Sequence, residues 1–170
     1  MTVNEAIRTR KSVRKYLDKT VEPEKLRRIL EAALLAPSAR NLQEWRVVSV
    51  TDADTRRRIA EEASGHAFVG EAPVLLAVCA ETDLGYMRCG VQRFPVDVSI
   101  FIDHITLAAV EEGLGTCWIG GFDADAVKRI LGIPENIVVV ELLPVGYPAD
   151  PSPVDKSRLS LSEILHEERW

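Results

Sequence analysis

The sequence predicts an α/β or α+β protein, with one three-layer domain in which helices frame a few buried strands. Short, β-branched apolar runs alternate along the chain with segments whose apolar residues recur at the helical period. The length of 170 residues is that of one domain. A hydrophobic fraction of 46% and a charged fraction of 28% are typical of an ordinary globular protein with a sizeable core.

The first half of the chain is predicted to begin with two helices. Apolar residues on one side indicate a short helix over residues 2–9. A second helix begins at Pro23, because a proline lacks only an N–H that a first turn leaves unpaired. Its apolar residues keep helical spacing until the chain nears Pro37. The elements that follow are a polar turn at 37–41, a strand at 45–50, a surface helix at about 54–63, a loop at 64–73 and a buried strand at 74–80.

The second half contains the most apolar helix of the chain. Residues 81–95, with two glycines and a proline, are predicted to be irregular. Residues 96–112 have little polar face, and a helix that is apolar nearly all round is buried in a core or in an interface. For a chain of this size we favour the interface. The elements that follow are a short strand within 113–122, a helix from an Asp123 N-cap to about Leu131, a buried strand within 136–148 and an extended arm at 148–170 with one short helix.

The overall charge and the cysteine usage exclude several classes of protein. The formal net charge is −5, so the molecule as a whole does not attract nucleic acid or an anionic membrane. No run approaches the ~20 apolar residues of a transmembrane helix, and the polar, basic N terminus does not resemble a signal peptide. Cys79, Cys89 and Cys117 are too scattered for a disulfide framework, so we expect a cytoplasmic protein.

Within this acidic chain, residues 8–15 carry five basic side chains and no acid. One interpretation is a solvated helix end, which is what most charge runs are. The other is a site for one small anion, because arginine holds a phosphate bidentately and Thr9 and Ser12 add hydroxyl donors. The charge run by itself leaves both interpretations open.

Motifs for metal binding, nucleophilic catalysis and nucleotide binding are missing. The three histidines are isolated, and no C-x-x-C, H-E-x-x-H, G-x-S-x-G or Walker A sequence occurs. Gly113 and Gly115 begin like a dinucleotide-binding fingerprint, but Trp118 occupies the third glycine position. That segment also follows a helix and opens a strand, which is the reverse of the fingerprint's order. We therefore predict no metal site and no catalytic side chain.

Four polar or glycine-bearing clusters remain, at residues 10–14, 37–45, 115–122 and 156–158. In this order and spacing they resemble the FMN-dependent nitroreductase family, above all its short members of about 170 residues. The most specific part is an R-x-S-x-R opening followed about 25 residues later by A-P-S-x-x-N-x-Q. The resemblance covers nearly the whole chain. Glu44 departs from it, since relatives commonly carry a proline there, and residues 81–95 match no family pattern.

The resemblance implies one domain over residues 1–170, with an α+β fold whose mixed, mostly antiparallel sheet is flanked by helices. It also implies an intertwined homodimer with two FMN sites at its interface. The apolar helix at 96–112 would form the core of the dimer, and the arm at 148–170 would wrap around the partner. The implied contacts to the phosphate and ribityl chain of FMN are Arg10, Lys11 through its backbone, Ser12, Arg14, Lys156 and Arg158. Those from the other subunit are Pro37, Ser38, Ala39 and Asn41, and those near the isoalloxazine are backbone groups of Ile119, Gly120 and Gly121.

The function that the resemblance implies is NAD(P)H-dependent reduction of a small acceptor by a ping-pong mechanism. NADH or NADPH reduces FMN and leaves, and a nitroaromatic, a quinone or a free flavin then enters the same open face. Backbone donors tune the flavin, so no acid–base side chain is required. Two alternatives stay open: a non-catalytic dimer that senses a flavin or a phosphorylated metabolite, and a specialised flavin reaction such as reductive dehalogenation.

Overall fold

A four-stranded antiparallel sheet forms the centre of the computed structural model, which describes all 170 residues. The strands are β1 (Trp45–Val50), β2 (Val74–Ala80), β3 (Gly115–Thr116) and β4 (Val138–Gly146), in the spatial order β1-β2-β4-β3. A parallel bridge between Ser12 and Thr116 adds the N-terminal segment at the β3 edge. The predicted mixed, mostly antiparallel sheet is therefore confirmed, and the strands predicted at 45–50 and 74–80 have the expected bounds.

The helices begin and end where local signals place them. Thr2 and Glu5 form a capping box at the start of the first helix, and Asp123 accepts a hydrogen bond from the Ala126 N–H at the start of the sixth. Gly132 ends that helix with a φ of 66°, a conformation that favours glycine. The helices are α1 (Val3–Thr9), α2 (Pro23–Ala33), α3 (Ala53–Ile59) with a π turn at Ala60–Ser64, α4 (Ala67–Glu71), α5 (Arg93–Glu111), α6 (Ala124–Leu131) and α7 (Leu161–Ile164).

Two apolar clusters on opposite faces of the sheet make the three predicted layers. Along β2, Leu76 and Val78 point to one face and Leu75 and Ala77 to the other, because side chains alternate along a strand. The first face packs against α2 and α5, and the second packs against α3, α4 and α6. Burial on both faces explains why the β2 sequence is a continuous apolar run.

The segment at 64–73 was predicted to be a loop, and this prediction is wrong, because α4 forms there. Tertiary packing stabilises this short helix, since Val69 is fully buried on the second face of the sheet. The contact with the π turn is close: a Cβ at Gly70 would lie 3.2 Å from the Cβ of Ala60. Small residues such as Gly70 and Ala60 add nothing to a hydrophobic pattern, so the sequence does not indicate that this helix forms.

The apolar helix α5 begins at Arg93, three residues before the predicted start, with Pro95 in its first turn, where a proline is tolerated. Most of its apolar side chains, including Phe101 and Ile105, are buried in the core of this one chain. The chain's own core thus accounts for most of the apolar surface that we had assigned to an interface. A side with the exposed Val96 and the partly exposed Ile100 and Leu107 remains for the predicted dimer contact.

The C-terminal segment runs along the surface as an extended arm. Residues 149–170 are exposed apart from the half-buried Lys156, and α7 is the one regular element among them. None of the seven helices combines the length with the apolar character that crossing a bilayer requires.

Candidate cofactor site

The N-terminal motif leaves α1 at Arg10 and runs beside β3. Val13 anchors it, because its side chain is buried and its N–H donates to the Thr116 carbonyl at 2.9 Å. Gly115 makes room for this contact, since a Cβ there would lie 2.4 Å from Cγ2 of Val13. In an extended segment the neighbours of an inward residue point outward, and Ser12 and Arg14 are both exposed. The alternation therefore presents the polar residues of R-x-S-x-R to solvent.

The C-terminal arm brings its basic residues Lys156 and Arg158 close to Arg10 of the N-terminal motif. The amino group of Lys156 donates to the Ile7 carbonyl at 2.8 Å, which ties the arm to α1. Arg10, Lys156 and Arg158 then line one groove of about 530 Å³. The side chain of Lys11 has a structural role, because its amino group donates to the carbonyls of residues 150 and 152, at 2.8 and 2.5 Å. Its side chain thus holds the arm in place, and the contribution of its backbone to the cofactor stays a prediction.

The groove has an excess of positive charge. Partial burial lowers the pKa of the Lys156 ammonium, and the nearby guanidinium groups of Arg10 and Arg158 lower it further. None of these three cations pairs with a carboxylate, although Asp155 also lines the groove. A bound anion would relieve this repulsion, so the groove fits a terminal phosphate.

The glycine-bearing segment lies next to the N-terminal motif. Ile119 exchanges two backbone hydrogen bonds with Leu142, at 3.0 and 3.1 Å, after which the chain leaves the sheet. Gly120 and Gly121 are exposed, and their N–H groups take part in no backbone hydrogen bond. No atom lies within 4 Å of a Cβ placed on Gly121. Unpaired N–H groups beside open space fit the edge of a planar ring.

Cys117 lies near the N-terminal motif at residues 10–14 and just before Ile119, Gly120 and Gly121 in the glycine-bearing segment. Burial raises the pKa of its thiol, while Arg14, Ser12 and Arg10 act in the opposite direction. These effects place residues 10–14 close to the glycine-bearing segment. The structure therefore brings Arg10, Lys156 and Arg158 into one groove and Ser12 and Arg14 into an adjoining pocket, close to Cys117 and thus to the start of the segment that continues to Ile119, Gly120 and Gly121.

The turn at 37–41 lies elsewhere in the same chain. Asp97, near the start of α5, accepts a hydrogen bond from the Ala39 N–H at 3.0 Å, and Ser38 accepts one from the Gln43 N–H at 3.1 Å. Arg40 and Asn41 adopt left-handed φ values of 55° and 56°. These contacts give the turn one defined shape. Pro37 and Asn41 are exposed.

The length of α5 separates this turn from the N-terminal motif. Asp97 binds the turn, whereas Val110 lines a pocket together with Thr9 and Lys11. The helix from Asp97 to Val110 spans about 20 Å at 1.5 Å per residue. Within one chain, therefore, Pro37, Ser38, Ala39 and Asn41 do not join the basic groove.

Glu44, the departure from the family pattern, has a buried partner. Its carboxylate lies 3.9 Å from the guanidinium of Arg93, whose other neighbour is Asp83 at 2.5 Å. The side chains of Glu44 and Arg93 are 8% and 10% exposed. Gly85 covers the guanidinium so closely that a Cβ there would lie 2.2 Å from Nη1. Arg93 thus joins the segment at 81–92 to the end of the 37–44 turn.

Sequence reasoning missed two acids near these elements. Asp97 binds the turn at Ala39, and Glu141 lies against Gly120 with its oxygens 3.7 and 4.0 Å from a Cβ placed there. Burial raises the pKa of Glu141 to about 7. The one signal for Glu141 is a lone acid inside the apolar run VVVELLPV at 138–145.

Comparison with known proteins defines the class. The nitroreductase family matches residues 7–69 and 61–147. The NADH dehydrogenase of Thermus thermophilus is 34% identical, over 92% of this chain and 91% of that protein. The FMN reductase (NAD(P)H) of Bacillus subtilis is 31% identical, over 99% of this chain and 75% of that protein. The crystal structure of a nitroreductase family protein from Clostridium difficile superposes with a TM-score of 0.88 at 31% identity, over 100% of both chains.

A chain with this fold and these matches belongs to the nitroreductase family. The α+β fold and the family that the motifs indicated are both confirmed.

Proposed function

We propose that this protein is an FMN-dependent oxidoreductase that passes reducing equivalents from NADH or NADPH to a small acceptor. The observation that carries the proposal is the groove in which Arg10, Lys156 and Arg158 converge without a carboxylate partner. Relatives that this chain matches along nearly its whole length are named NADH dehydrogenase and FMN reductase (NAD(P)H). Membership of the nitroreductase family supports the same activity.

Different residues would bind different parts of FMN. Arg10, Lys156 and Arg158 would bind the phosphate through charge-assisted hydrogen bonds, and Ser12 and Arg14 would bind the adjoining ribityl chain. The free N–H groups at Gly120 and Gly121 would donate to the ring edge, where they favour the reduced state. FMN supplies two-electron chemistry that amino-acid side chains lack. The chain's task is to hold the ring with one face open, so that NAD(P)H and then a nitroaromatic, quinone or flavin acceptor bind in turn.

We infer that the protein is a homodimer in which each site draws on both subunits. The separation of about 20 Å along α5 supports this arrangement, because the turn at 37–41, which the resemblance assigns to the FMN site, lies far from the basic groove of its own chain. The partner's turn at 37–41 would complete each site, as the two-fold symmetry of a dimer allows. The exposed apolar residues of the arm support wrapping around the partner, and they are Leu159, Leu161, Ile164, Leu165 and Trp170. We place the dimer in the cytoplasm, in keeping with its three free cysteines.

The experiment is to purify the protein and record its absorbance spectrum. We expect flavin bands, release of FMN and not FAD on denaturation, and steady oxidation of NADH or NADPH when a quinone is added. A colourless protein that does not take up added FMN contradicts the proposal. A protein that binds FMN but does not turn over NAD(P)H is instead a flavin-binding sensor.

A further inference from the structure

Glu141 is a half-buried acid that neither the fold nor the proposed cofactor contacts require. It lies in β4 opposite Val78 of β2, within a strand whose other residues are apolar apart from Gly146 at its end. Its carboxylate takes part in none of the hydrogen bonds or ion pairs of the chain. An acid in such a position costs stability, because burial removes water from a charged group without a partner to replace it.

The backbone holds the Glu141 carboxyl at the edge of the proposed site. The paired hydrogen bonds between Ile119 and Leu142 fix the strand next to Gly120. The carboxyl oxygens lie 3.7 and 4.0 Å from a Cβ placed on Gly120, and apart from Gly120 and its chain neighbours no other atom lies within 4 Å of that point. The carboxyl is therefore the side-chain functional group that lies against the exposed backbone of Gly120.

None of the charged groups on the neighbouring elements shifts the pKa of Glu141, which burial alone raises. The 115–121 segment contributes the thiol of Cys117, which burial keeps protonated. On α5, Asp97 is bound to the Ala39 N–H, and Arg93 is bound to Asp83. On α6, Lys128 is bound to the turn at residue 135. Burial therefore dominates and raises the pKa of Glu141 to about 7, so both protonation states are present at neutral pH.

We propose that Glu141 is a catalytic residue that supplies the proton needed when the acceptor is reduced. This proposal rests on the proposed function. NAD(P)H, a proton and a quinone give NAD(P)⁺ and the reduced quinone, so each turnover needs one proton in addition to the transferred hydride. The protonated carboxyl breaks its O–H bond, the proton goes to an oxygen of the quinone, and the carboxylate regains a proton from water. The mechanism stated above has no other group for this step.

The test compares the FMN-loaded protein with its Glu141→Gln variant on two acceptors. 1,4-Benzoquinone needs a proton, whereas ferricyanide takes up electrons alone. We expect the variant to lose about 100-fold in kcat/KM for benzoquinone at pH 6, the low end of what a general acid contributes, and to keep its rate with ferricyanide. Glu135→Gln, at an exposed glutamate before β4, should change neither rate.

The pH profile distinguishes a proton donor from a structural residue. With benzoquinone, kcat/KM of the natural protein should fall about tenfold per pH unit above pH 7, because the protonated fraction falls in that proportion. The profile of Glu141→Gln should be flat, since an amide does not titrate. Parallel profiles in the two proteins would overturn the proposal.

A measurement without turnover checks the carboxyl itself. In the FMN-loaded protein with ¹³C-labelled glutamate, one carboxyl resonance that is absent from Glu141→Gln should titrate near pH 7. A midpoint below about pH 5, in the ordinary range of glutamate, overturns the role of Glu141 while leaving the flavin activity intact. A protein that binds no FMN overturns both this proposal and the proposed function.

Discussion

At the scale of single residues, we expect the three cations of the groove, Arg10, Lys156 and Arg158, to be the main determinants of the affinity for FMN. Arg10 and Arg158 repel Lys156. A phosphate bound between the three cations would attract each of them, and each attraction would add to the affinity. The groove is open to solvent, so part of this gain is screened by salt.

Replacing Arg10 or Arg158 by alanine should weaken FMN binding by about 10- to 150-fold. Loss of a charge-assisted hydrogen bond costs roughly 1.5–3 kcal/mol. Quenching of FMN fluorescence during titration measures the affinity, and the loss should shrink at high salt. The control is Arg27→Ala, which removes an exposed arginine of α2 far from the groove in sequence. Unchanged affinity in both groove variants would show that the phosphate binds elsewhere.

Residues of the site were predictable to different degrees. The R-x-S-x-R motif and the glycines at 120 and 121 stand at recognisable spacings, so the sequence indicated them. Asp97 and Glu141 are ordinary acids in a helix and a strand. What distinguishes them is their position, because Asp97 accepts a hydrogen bond from Ala39 and Glu141 lies beside Gly120, and both neighbours are distant in sequence.

At the scale of elements, the N-terminal motif depends on its fit against β3. Val13 occupies the space above Gly115 and so keeps Ser12 and Arg14 facing outward. A side chain at position 115 would push the motif away from the sheet, and the basic groove would lose its shape.

Gly115→Ala should therefore lower the free energy of unfolding by about 1–3 kcal/mol, the usual cost of overpacking, and should also weaken FMN binding. Gly121→Ala is the matched control for stability, because a Cβ there meets no atom within 4 Å. Urea unfolding gives both free energies. Equal stability of the two variants would contradict the close contact between Val13 and Gly115.

The buried guanidinium of Arg93 attaches the segment at 81–92 to the turn at 37–44. Arg93→Ala should cost about 3–5 kcal/mol of stability, because it leaves the Glu44 carboxylate buried without a partner. Arg46→Ala removes an exposed ion pair with Glu81, whose groups are 55% and 53% exposed, and should cost less than about 1 kcal/mol. Urea unfolding of both variants checks the contrast, and a smaller loss for Arg93→Ala than for Arg46→Ala would contradict it.

Elements were predicted well where hydrophobic periodicity extends over several turns, as in α2 and α6. The helix α4 was missed because only five residues form it and close packing stabilises it. The ion pairs of Arg93 with Glu44 and Asp83 were also not predictable from the sequence pattern, because these three residues meet only in the folded chain.

At the scale of the whole molecule, the sequence indicated three layers correctly, whereas the interface that it favoured for the apolar helix α5 stays a prediction. Most of its apolar side chains lie in the core of one chain, and the exposed Val96 with the partly exposed Ile100 and Leu107 remains for a partner. Hydrophobicity alone does not distinguish a core helix from an interface helix, because both replace water by apolar contacts.

A mixed dimer tests whether each site is shared between subunits. We combine Arg10→Ala, which damages the groove, with Asn41→Ala, which damages the turn, after confirming that each homodimer binds FMN poorly. In a shared arrangement one site of the mixed dimer collects both defects and the other collects none. Co-refolding should therefore restore about one intact FMN site per mixed dimer.

Binding stoichiometry, with the mixed dimer verified by mass, reads out the result. If groove and turn belong to the site of one chain, every site keeps one defect and no binding returns. That outcome would contradict the shared site and leave the flavin assignment standing. Two molecules of Arg10→Ala refolded together are the control, and they should recover no binding.

The docking of the C-terminal arm has a consequence for biosynthesis. Lys156 and Arg158 reach the groove only because the arm returns to α1, where Lys156 meets the Ile7 carbonyl. A ribosome makes one wall of the groove first and the other almost last. The proposed anion site therefore has all its cations only in a chain made to its last residues, so capture of FMN would wait until translation is complete. On the proposed function, a chain that ends before residue 156 would lack Lys156 and Arg158 and would be released without the cations that hold its flavin.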